Sequence, residues 1–240
     1  MELAGKVVLL TGGSAGIGRE MAWQMKAKGA VVVVTGRNEE RLEAMRKDGF
    51  VAVAADLSSA AGVDALLDVW GDRELDVLVN NAGQGVDHDF RESKPDPDAA
   101  DDCIYANFNA PIRLITALLP RLHKRPQAAI VNVTSGLAIA PRAGSPVYCA
   151  TKAGLRSYTQ ALRAQVGGVN FQVIEALPPV VDTQMTADRK NKKMPPQECA
   201  RQIIDAIENN KDEANVGMVK VLKHVHSVSP AIARKVMLRF

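Results

Sequence analysis

The sequence predicts a single α/β domain built on a doubly wound parallel sheet, with helices on both faces in a three-layer α/β/α arrangement. Apolar runs rich in β-branched residues alternate along the chain with segments of helical periodicity. A glycine-rich turn at residues 11–18 separates the first apolar run from the first amphipathic segment. This alternation is typical of βαβ units with right-handed crossovers. A chain of 240 residues with 47% hydrophobic content can bury one core of this size.

In the first half of the chain, local signals support each predicted element. The predicted strands cover residues 6–10, 31–34, 50–55 and 75–80. The predicted helices cover residues 16–28, 39–47, and a segment from Ser58 or Ser59 to residue 70. The four consecutive valines at residues 31–34 are typical of a strand buried on both faces. Gly29 suits the position after the first helix, and Asn38 can cap the second.

The second half continues the alternation. We expect a long helix over roughly residues 99–123, kinked at Pro111 because proline cannot donate a backbone hydrogen bond. Further strands cover residues 129–134 and 170–176, on either side of a helix over residues 146–165. No repeat, low-complexity tract or linker interrupts the chain, so residues 1–240 should form one domain.

Three polar side chains in the second half could share one chemical task. Tyr148 and Lys152 are one helical turn apart, so in a helix they project from the same face. A nearby ammonium stabilises a phenolate and should lower the pKa of Tyr148 from its usual value of about 10. The hydroxyl of Ser135 could hold a substrate oxygen. Together they predict an acid/base site that interconverts a carbonyl and an alcohol, although this spacing also occurs by chance on ordinary helices.

The segment Thr11-Gly-Gly-Ser-Ala-Gly-Ile-Gly18 is a second, independent motif. It opens a predicted helix, whose N-terminus offers free N–H groups and a positive dipole end to an anion. Bare glycines let the backbone approach a pyrophosphate, and the spacing is a variant of the dinucleotide fingerprint. The alternative is a tight turn that packs a helix on the sheet and binds nothing.

Polar residues follow the predicted strands at a common edge of the sheet. In doubly wound folds, ligands bind outside the carboxyl ends of the strands, where the strand order reverses. The residues at or just past a predicted strand end are Thr11, Arg37, Asp56, Asn81, Ser135 and Pro178. Their positions predict one shared cleft.

On these motifs the chain resembles the short-chain dehydrogenase/reductase family from about residue 3 to residue 183. The motifs occur in the family's order: Thr11-Gly12 with Gly16 and Gly18, Asp56, Asn80-Asn-Ala-Gly83, Asn107, Ser135, Tyr148, Lys152 and Pro178-Pro-Val-Val-Asp-Thr183. The resemblance implies a Rossmann fold and hydride transfer between a nicotinamide cofactor and a small carbonyl or alcohol substrate. One departure is Pro179, where the family usually has glycine; it removes an N–H close to the expected nicotinamide.

The resemblance also implies individual roles. The residues it marks as catalytic are Asn107, Ser135, Tyr148 and Lys152, with Asn109 close enough to Asn107 to leave that assignment open. The residues it marks as cofactor-binding are Gly12, Ser14, Gly16, Ile17, Gly18, Arg37, Asp56, Leu57, Asn81, Ala82, Gly83, Tyr148, Lys152, Pro178, Val181 and Thr183. It further implies a homodimer or homotetramer, and a substrate lid at about residues 184–196. A C-terminal extension follows from about residue 214.

The residues after the second strand narrow the choice of cofactor. Dehydrogenases that prefer NAD usually have an acidic residue there, and residues 34–38 contain none. Arg37 could pair with a 2′-phosphate through its fork of donors, although it could also be a solvated loop arginine. We therefore expect NADP(H) to be preferred over NAD(H). Ala15 stands where NADP-preferring relatives often carry a second basic residue, so the preference should be modest.

Composition excludes several classes. No run of about 18 apolar residues exists and the N-terminus leads directly into the first strand, so we expect no membrane span, no signal peptide and a cytoplasmic location. Three scattered cysteines are typical of free thiols in a reducing compartment. A net charge of +3 and 4% aromatic residues give no support for nucleic-acid binding. His224 and His226 have ligand-like spacing on a predicted strand but no third partner, so no metal is expected.

Alternatives to an NADP(H)-dependent oxidoreductase are an NAD-linked alcohol dehydrogenase and a non-catalytic nucleotide-binding regulatory protein of the same fold. The sequence does not indicate the substrate. Residues 85–98 and 136–145 should line its pocket, and their side chains are too mixed in chemistry to favour one class of substrate. The basic residues of segment 184–194 could favour an acidic substrate or form a solvated surface. We interpret residues 230–240 as a basic amphipathic helix packed on the domain or at a subunit interface, with membrane or partner contact as the alternative.

Overall fold

A computed structural model describes residues 1–91, 95–190 and 192–239, and these form one domain around a seven-stranded sheet. The strands are β1 (Val7–Leu10), β2 (Val31–Gly36), β3 (Val51–Ala54), β4 (Val77–Asn80), β5 (Ala128–Val133), β6 (Phe171–Leu177) and β7 (Glu213–Asn215). They pair in the order β3-β2-β1-β4-β5-β6-β7, and every pairing is parallel. The predicted doubly wound fold is confirmed, with its strand order reversing between β1 and β4.

The helices of the described residues alternate with these strands. They are α1 (Gly16–Ala27), α2 (Glu39–Lys47), α3 (Ala60–Trp70), α4 (Pro97–Ile104), α5 (Ala110–Leu122), α6 (Pro146–Val166), α7 (Pro196–Glu208), α8 (Val219–Val228) and α9 (Pro230–Met237). Three predicted features fall partly outside the described residues. These parts are residues 92–94 of the predicted pocket segment, residue 191 of the predicted lid and residue 240 of the C-terminal extension.

Two apolar clusters, one on each face of the sheet, pack helices against it and so give the three-layer arrangement. Within β1, Val8 and Leu10 belong to one cluster, and Leu9 belongs to the other. The alternation follows from the period of two along a strand. Helices α1 and α7 pack together on the first face, and α3 and α5 pack together on the second. Apolar residues on both faces explain why the strands appear in the sequence as unbroken apolar runs.

Local capping signals were interpreted correctly. The Asn38 side chain accepts a hydrogen bond from the Arg41 N–H at 2.8 Å and caps α2. Ser59, one of the two serines considered, caps α3 by accepting from the Gly62 N–H. Gly29 has a φ of 85°, a left-handed conformation that glycine adopts without strain just after α1.

One of these later predictions was confirmed in outline and one was wrong. The predicted long helix is present: helical backbone runs without a break from Pro97 to Leu122, with a π-helical turn at Tyr105–Asn109 joining α4 to α5. Pro111, where a kink was predicted, lies two residues after this π turn. The region of His224 and His226 was predicted as a strand but is helix α8, and the additional strand in this part of the chain is β7. The helix predicted for the tail is confirmed as α9.

Candidate active site

A cleft of about 810 Å³ lies along the carboxyl ends of the strands. Of the residues predicted to bind a cofactor, those that line it are Gly12, Ser14, Gly16, Ile17, Gly18, Arg37, Asp56, Leu57, Asn81, Ala82, Gly83, Tyr148, Lys152, Pro178 and Thr183. Val181 is the exception. It is 3% exposed, belongs to the apolar core and forms a β-bridge with Met194. One cleft therefore collects residues that the chain spreads over about 170 positions.

The glycine-rich turn brings the backbone to the floor of this cleft. Gly12 and Gly16 have φ values of 65° and 53°, which other residues rarely adopt. At Gly18 a Cβ would lie 2.2 Å from the Gly12 carbonyl oxygen, so no side chain fits there. Ala15, the N-cap of α1, offers no side-chain acceptor, and the first-turn N–H groups remain free to bind an anion. The cradle fits a pyrophosphate.

Thr11 and Asn81 hold this turn against the end of β4. The Thr11 hydroxyl oxygen accepts hydrogen bonds from the N–H groups of Asn81 and Ala82, each at 3.0 Å. In return the Asn81 side-chain amide donates to the carbonyl oxygens of Thr11 and Gly12 at 3.0 and 3.1 Å. These reciprocal bonds fix the two loops that flank the point where the strand order reverses.

Ser135, Tyr148 and Lys152 lie together near one end of the cleft. Ser135 follows β5, is 8% exposed and accepts a hydrogen bond from the Leu137 N–H at 3.1 Å. Tyr148 and Lys152 lie one turn apart on α6, and the Lys152 Nζ is 5.7 Å from the centre of the Tyr148 ring. Lys152 is 4% exposed, and its ammonium donates to the Val133 carbonyl oxygen at 2.9 Å. The structure therefore brings the three predicted groups to one place.

The protonation of Tyr148 differs from the sequence-based expectation. Burial raises the pKa of the Tyr148 phenol to about 12, although part of the side chain lines the cleft. Hydrogen bonding to Ser135 and the charge of Arg189 lower this pKa, but less than burial raises it. Burial also lowers the pKa of Lys152 to about 8. The predicted net lowering of the Tyr148 pKa was wrong because burial outweighs the effect of nearby charge, and at neutral pH Tyr148 is a neutral phenol that can donate a proton.

Asn107 sits in the π-helical turn between α4 and α5. It is completely buried, and its side chain bonds both backbone groups of Gln84: the Oδ1 accepts from the N–H and the Nδ2 donates to the carbonyl, each at 2.9 Å. The Nδ2 also donates to the Thr151 hydroxyl at 3.2 Å. A Cβ on Gly83 would lie 2.8 Å from Asn107 Oδ1 and 3.5 Å from Lys152 Nζ. Asn107, rather than Asn109, makes these contacts, and single π turns are frequent at functional sites.

The other end of the cleft carries two arginines. The Arg37 guanidinium donates to Gln84 Oε1 at 3.3 Å and lies 3.8 Å from an oxygen of Asp56. Arg41 also lines the cleft and donates to Gln184 Oε1 at 2.6 Å. Sequence reasoning missed Arg41, although its position three residues after the Asn38 cap was a usable signal. A side chain in the first turn of α2 can reach the ends of the neighbouring strands.

Asp56 follows β3 at this same end of the cleft. Its carboxylate accepts a hydrogen bond from the Ser58 N–H at 3.1 Å. This is a local turn contact, and Ser59 caps the α3 helix that follows. Asp56 is exposed and lines the cleft, so its remaining oxygen can accept from a ligand.

A buried ion pair lies next to the strand end that carries Ser135. Glu175 on β6 is completely buried; it accepts from the Thr134 hydroxyl at 2.8 Å and from Arg156 Nη1 at 2.6 Å. Burial raises the pKa of the Glu175 carboxyl against the opposing effect of Arg156. Because Arg156 is one turn beyond Lys152 on α6, the pair ties this helix to the end of the sheet. Sequence reasoning did not find it, since one glutamate in an apolar run carries no pairing signal.

The segment predicted as a lid reaches over the cleft. Gln184 and Met185 line it, and a Cβ on Gly85 would meet the Met185 side chain at 3.8 Å. The segment is tied down by backbone hydrogen bonds between residues 180–182 and Met194, each at 2.9 Å. Next to Pro179, the residue that departs from the family pattern, the carbonyl oxygen of Pro178 accepts a hydrogen bond from the Gly136 N–H at 3.0 Å.

Two other features are absent from the part of the chain that the structure describes. Over residues 1–91, 95–190 and 192–239, no group of three His, Cys, Asp or Glu side chains is arranged to hold a metal ion. Within the same ranges, no helix has the length and apolar character needed to cross a membrane.

The chain is similar to known short-chain dehydrogenases and oxidoreductases in sequence and in fold. Residues 6–194 match the family model described as short chain dehydrogenase. DltE of Bacillus subtilis, named an uncharacterized oxidoreductase, is 37% identical in an alignment of 234 positions that covers 93% of this chain and 92% of DltE. A short chain dehydrogenase from Burkholderia cenocepacia, solved with NADP, has a TM-score of 0.87 and 25% identity over 99% of both chains. A 3-ketoacyl-(acyl-carrier-protein) reductase from Brucella melitensis, solved with NADH, has a TM-score of 0.76 and 27% identity over 85% of this chain and 91% of its own.

Proposed function

The chain belongs to the short-chain dehydrogenase family, and we propose that it is an NADP(H)-dependent oxidoreductase interconverting a carbonyl and an alcohol. The main support is a single cleft with a proton-donating group at one end and two arginines at the other. Tyr148 and Lys152 line the first end, and Ser135 hydrogen-bonds with Tyr148 there. A non-catalytic regulatory role is disfavoured because all three of these groups are kept together.

The residues of the chain bind the cofactor and transfer a proton to or from the substrate. The nicotinamide cofactor supplies the hydride when carbonyls are reduced and accepts it when alcohols are oxidised. The N–H groups of the glycine-rich turn hold the pyrophosphate, since no side chain at Gly18 blocks its approach. In reduction, Tyr148 gives its phenolic proton to the substrate oxygen, and Ser135 donates a hydrogen bond to the same oxygen. Lys152 stabilises the phenolate left behind and binds the nicotinamide ribose, and Asn107 keeps the adjoining loops in register.

We assign the preference for NADP(H) to Arg37 and Arg41. Both guanidiniums line the end of the cleft beyond β2, where residues 34–38 contain no carboxylate. A 2′-phosphate could accept hydrogen bonds from both arginines, and an acidic residue, which would repel it, is absent from that strand end. Arg41 also compensates for Ala15, the uncharged residue in the glycine-rich turn. The NAD-linked alternative rests on Asp56, which lies near Arg37 and could weaken its hold on a phosphate.

Tyr148→Phe tests the proposed chemistry. The substitution removes only the transferable proton, and we expect turnover to fall by about 10²–10⁴-fold while NADPH affinity stays within a few-fold. A panel of aldehydes, ketones, sugars and acyl thioesters, assayed with NADPH, supplies the substrate. Tyr158→Phe is the matched control, because Tyr158 lies on the same helix but outside the cleft. Turnover of Tyr148→Phe equal to that of the control would show that Tyr148 is not the proton donor.

We further propose that the protein is a homodimer or homotetramer in a reducing, cytoplasmic setting. The cysteines Cys103, Cys149 and Cys199 are buried and unpaired, which suits such a compartment. Light scattering of the purified protein would give the mass of the assembly, and a monomeric mass would contradict the oligomer.

A further inference from the structure

The charge of the chain is divided unevenly between its C-terminal segment and the rest. Residues 214–240 hold five of the 30 Lys and Arg residues and none of the 27 Asp and Glu residues. This segment is therefore +5, and the remaining chain, with 25 basic against 27 acidic residues, is −2. The five cations are Lys220, Lys223, Arg234, Lys235 and Arg239. Such asymmetry indicates a surface that meets an anionic partner.

The same segment exposes apolar side chains at helical spacing. We define the C-terminal hairpin as α8 and α9 with their flanks, residues 218–239. On α8 and just before it, Met218, Val221 and Val228 are 70%, 53% and 75% exposed. On α9, Ile232 and Val236 are 57% and 48% exposed and one turn apart. Spacings of three, four and seven residues place such side chains on one face of each helix.

These exposed residues are not what attaches the hairpin to the domain. Val219 and Ala233 are buried, and they are the inward contacts of α8 and α9. A Cβ on Gly136 would lie 3.0 Å from Val219 Cγ2, so α8 packs against the residue that follows Ser135. Lys223 forms an ion pair with Glu213 on the body of the domain. The outward apolar residues therefore remain available for a partner.

We propose that the C-terminal hairpin docks on an anionic lipid surface, lying in the headgroup region rather than crossing the bilayer. Exposed apolar residues beside exposed cations are the combination that favours interfacial helices. A helix needs about 20 apolar residues to span a bilayer, whereas α8 and α9 have ten and eight residues.

Other occupants match this surface less well. A second copy meeting the chain through the same surface would place its four exposed cations, Lys220, Arg234, Lys235 and Arg239, against the same four, and the segment itself supplies no carboxylate. Nucleic acid would match the charge, but it would leave the exposed valines and Ile232 in water and offers them no apolar phase. A lipid surface satisfies both properties. The inference is independent of the proposed reaction, because it uses none of the residues of the cleft.

Vesicle sedimentation with the full-length protein tests the inference. We expect binding to vesicles of phosphatidylglycerol mixed with phosphatidylcholine, weaker binding as salt is raised, and none to phosphatidylcholine alone. Each cation at such a surface contributes about fivefold to the partition coefficient, so Arg234→Glu with Lys235→Glu should lower it by at least about 25-fold. Lys47→Glu with Lys124→Glu, an equal change of charge at exposed sites elsewhere, should have little effect.

A second set of variants tests the contribution of the exposed apolar side chains to vesicle binding. Val228→Ser with Ile232→Ser should also reduce sedimentation, whereas Val169→Ser, at a valine that is 95% exposed elsewhere, should not. NADPH titration and circular dichroism check that every variant is folded. The inference is overturned if wild type ignores anionic vesicles, or if the Arg234/Lys235 and Lys47/Lys124 variants bind them equally. It is also overturned if the Val228/Ile232 variant changes the mass measured by light scattering instead of vesicle binding, because the hairpin would then be a contact between copies.

Discussion

Replacing Arg37 and Arg41 by alanine, singly and together, tests the proposed cofactor preference most directly. Both side chains line the end of the cleft beyond β2, and neither is near Tyr148 on the other side of the sheet's switch point. Alanine removes the guanidinium and adds no charge. A loss of affinity therefore reports the missing phosphate contact rather than a new repulsion.

The size of the effect follows from what each arginine contacts now. A hydrogen bond to a charged group contributes roughly 1.5–3 kcal/mol, which is about tenfold to 150-fold in affinity. The Arg37 side chain is 56% exposed, so solvent screens its charge. Arg41 would exchange its bond to Gln184 Oε1, which is 2.6 Å long, for one to phosphate. Both considerations favour the lower limit, so we expect about tenfold for each substitution and about 100-fold for the pair if they are additive.

Fluorescence titration measures the NADPH and NADH dissociation constants of each variant. The NADH constant should stay within about twofold, since NADH has no 2′-phosphate, and the loss of NADPH affinity should shrink as salt is raised. Arg201→Ala is the control, because its side chain is 62% exposed and paired with Glu198 on a surface outside the cleft. Equal losses for NADPH and NADH, or no loss in the double variant, would refute the assignment. The NAD-linked reading would then be preferred.

Two further outcomes follow from the geometry of the cleft. Gly18→Ala should weaken NADPH binding and cost about 1–3 kcal/mol of unfolding free energy, because its methyl would lie 2.2 Å from the Gly12 carbonyl. Thermal melts would measure this against Gly168→Ala, whose methyl meets nothing within 4 Å. In reduction, kcat/KM should decline above pH about 8, where Lys152 loses its charge while Tyr148, with a pKa of about 12, keeps its proton. A profile that is flat to pH 10 would contradict this.

Much of the fold could be predicted because its signals are local. The valines of β2 and the caps Asn38 and Ser59 are readable within a few residues of the chain. β7 was missed since it has three residues and only Ala214 among them is buried. Helix α8 was misinterpreted around two histidines whose alternation with valine resembles a strand. Short elements at the edge of a sheet depend on tertiary contacts more than on propensity.

The π turn between α4 and α5 shows a different limit. Its sequence continues the helical periodicity on both sides, so a single helix was the natural prediction. The turn lets Asn107 reach both backbone groups of Gln84, which is 23 residues away in the chain. That partner lies in a loop after β4, and no pattern within the helix reveals it. Arg41 differs, because its place in the first turn of α2, three residues after the Asn38 cap, was a signal within the sequence that it could reach the cleft.

The direction of the Tyr148 pKa was mispredicted for a reason that bears on the chemistry. Helical spacing indicates that Lys152 is near Tyr148, but it carries no information about how much water reaches either group. Burial penalises both charged forms, raising the pKa of the phenol to about 12 and lowering that of the ammonium to about 8. At neutral pH both groups therefore carry their protons, which suits donation of the Tyr148 proton to a carbonyl oxygen.

The two ends of the cleft meet different electrostatic demands, and their burial differs accordingly. Proton transfer needs groups whose pKa values respond to their surroundings, and Ser135 and Lys152 are less than 10% exposed. Phosphate recognition needs a permanently charged side chain that can leave its present partners and bind the phosphate. Arg37 is half exposed, and its contacts with Gln84 and Asp56 are long, at 3.3 and 3.8 Å. A mutation at the buried end should therefore change the pH dependence of catalysis. A mutation at the exposed end should change the salt dependence of binding, so the two roles can be separated by solution conditions alone.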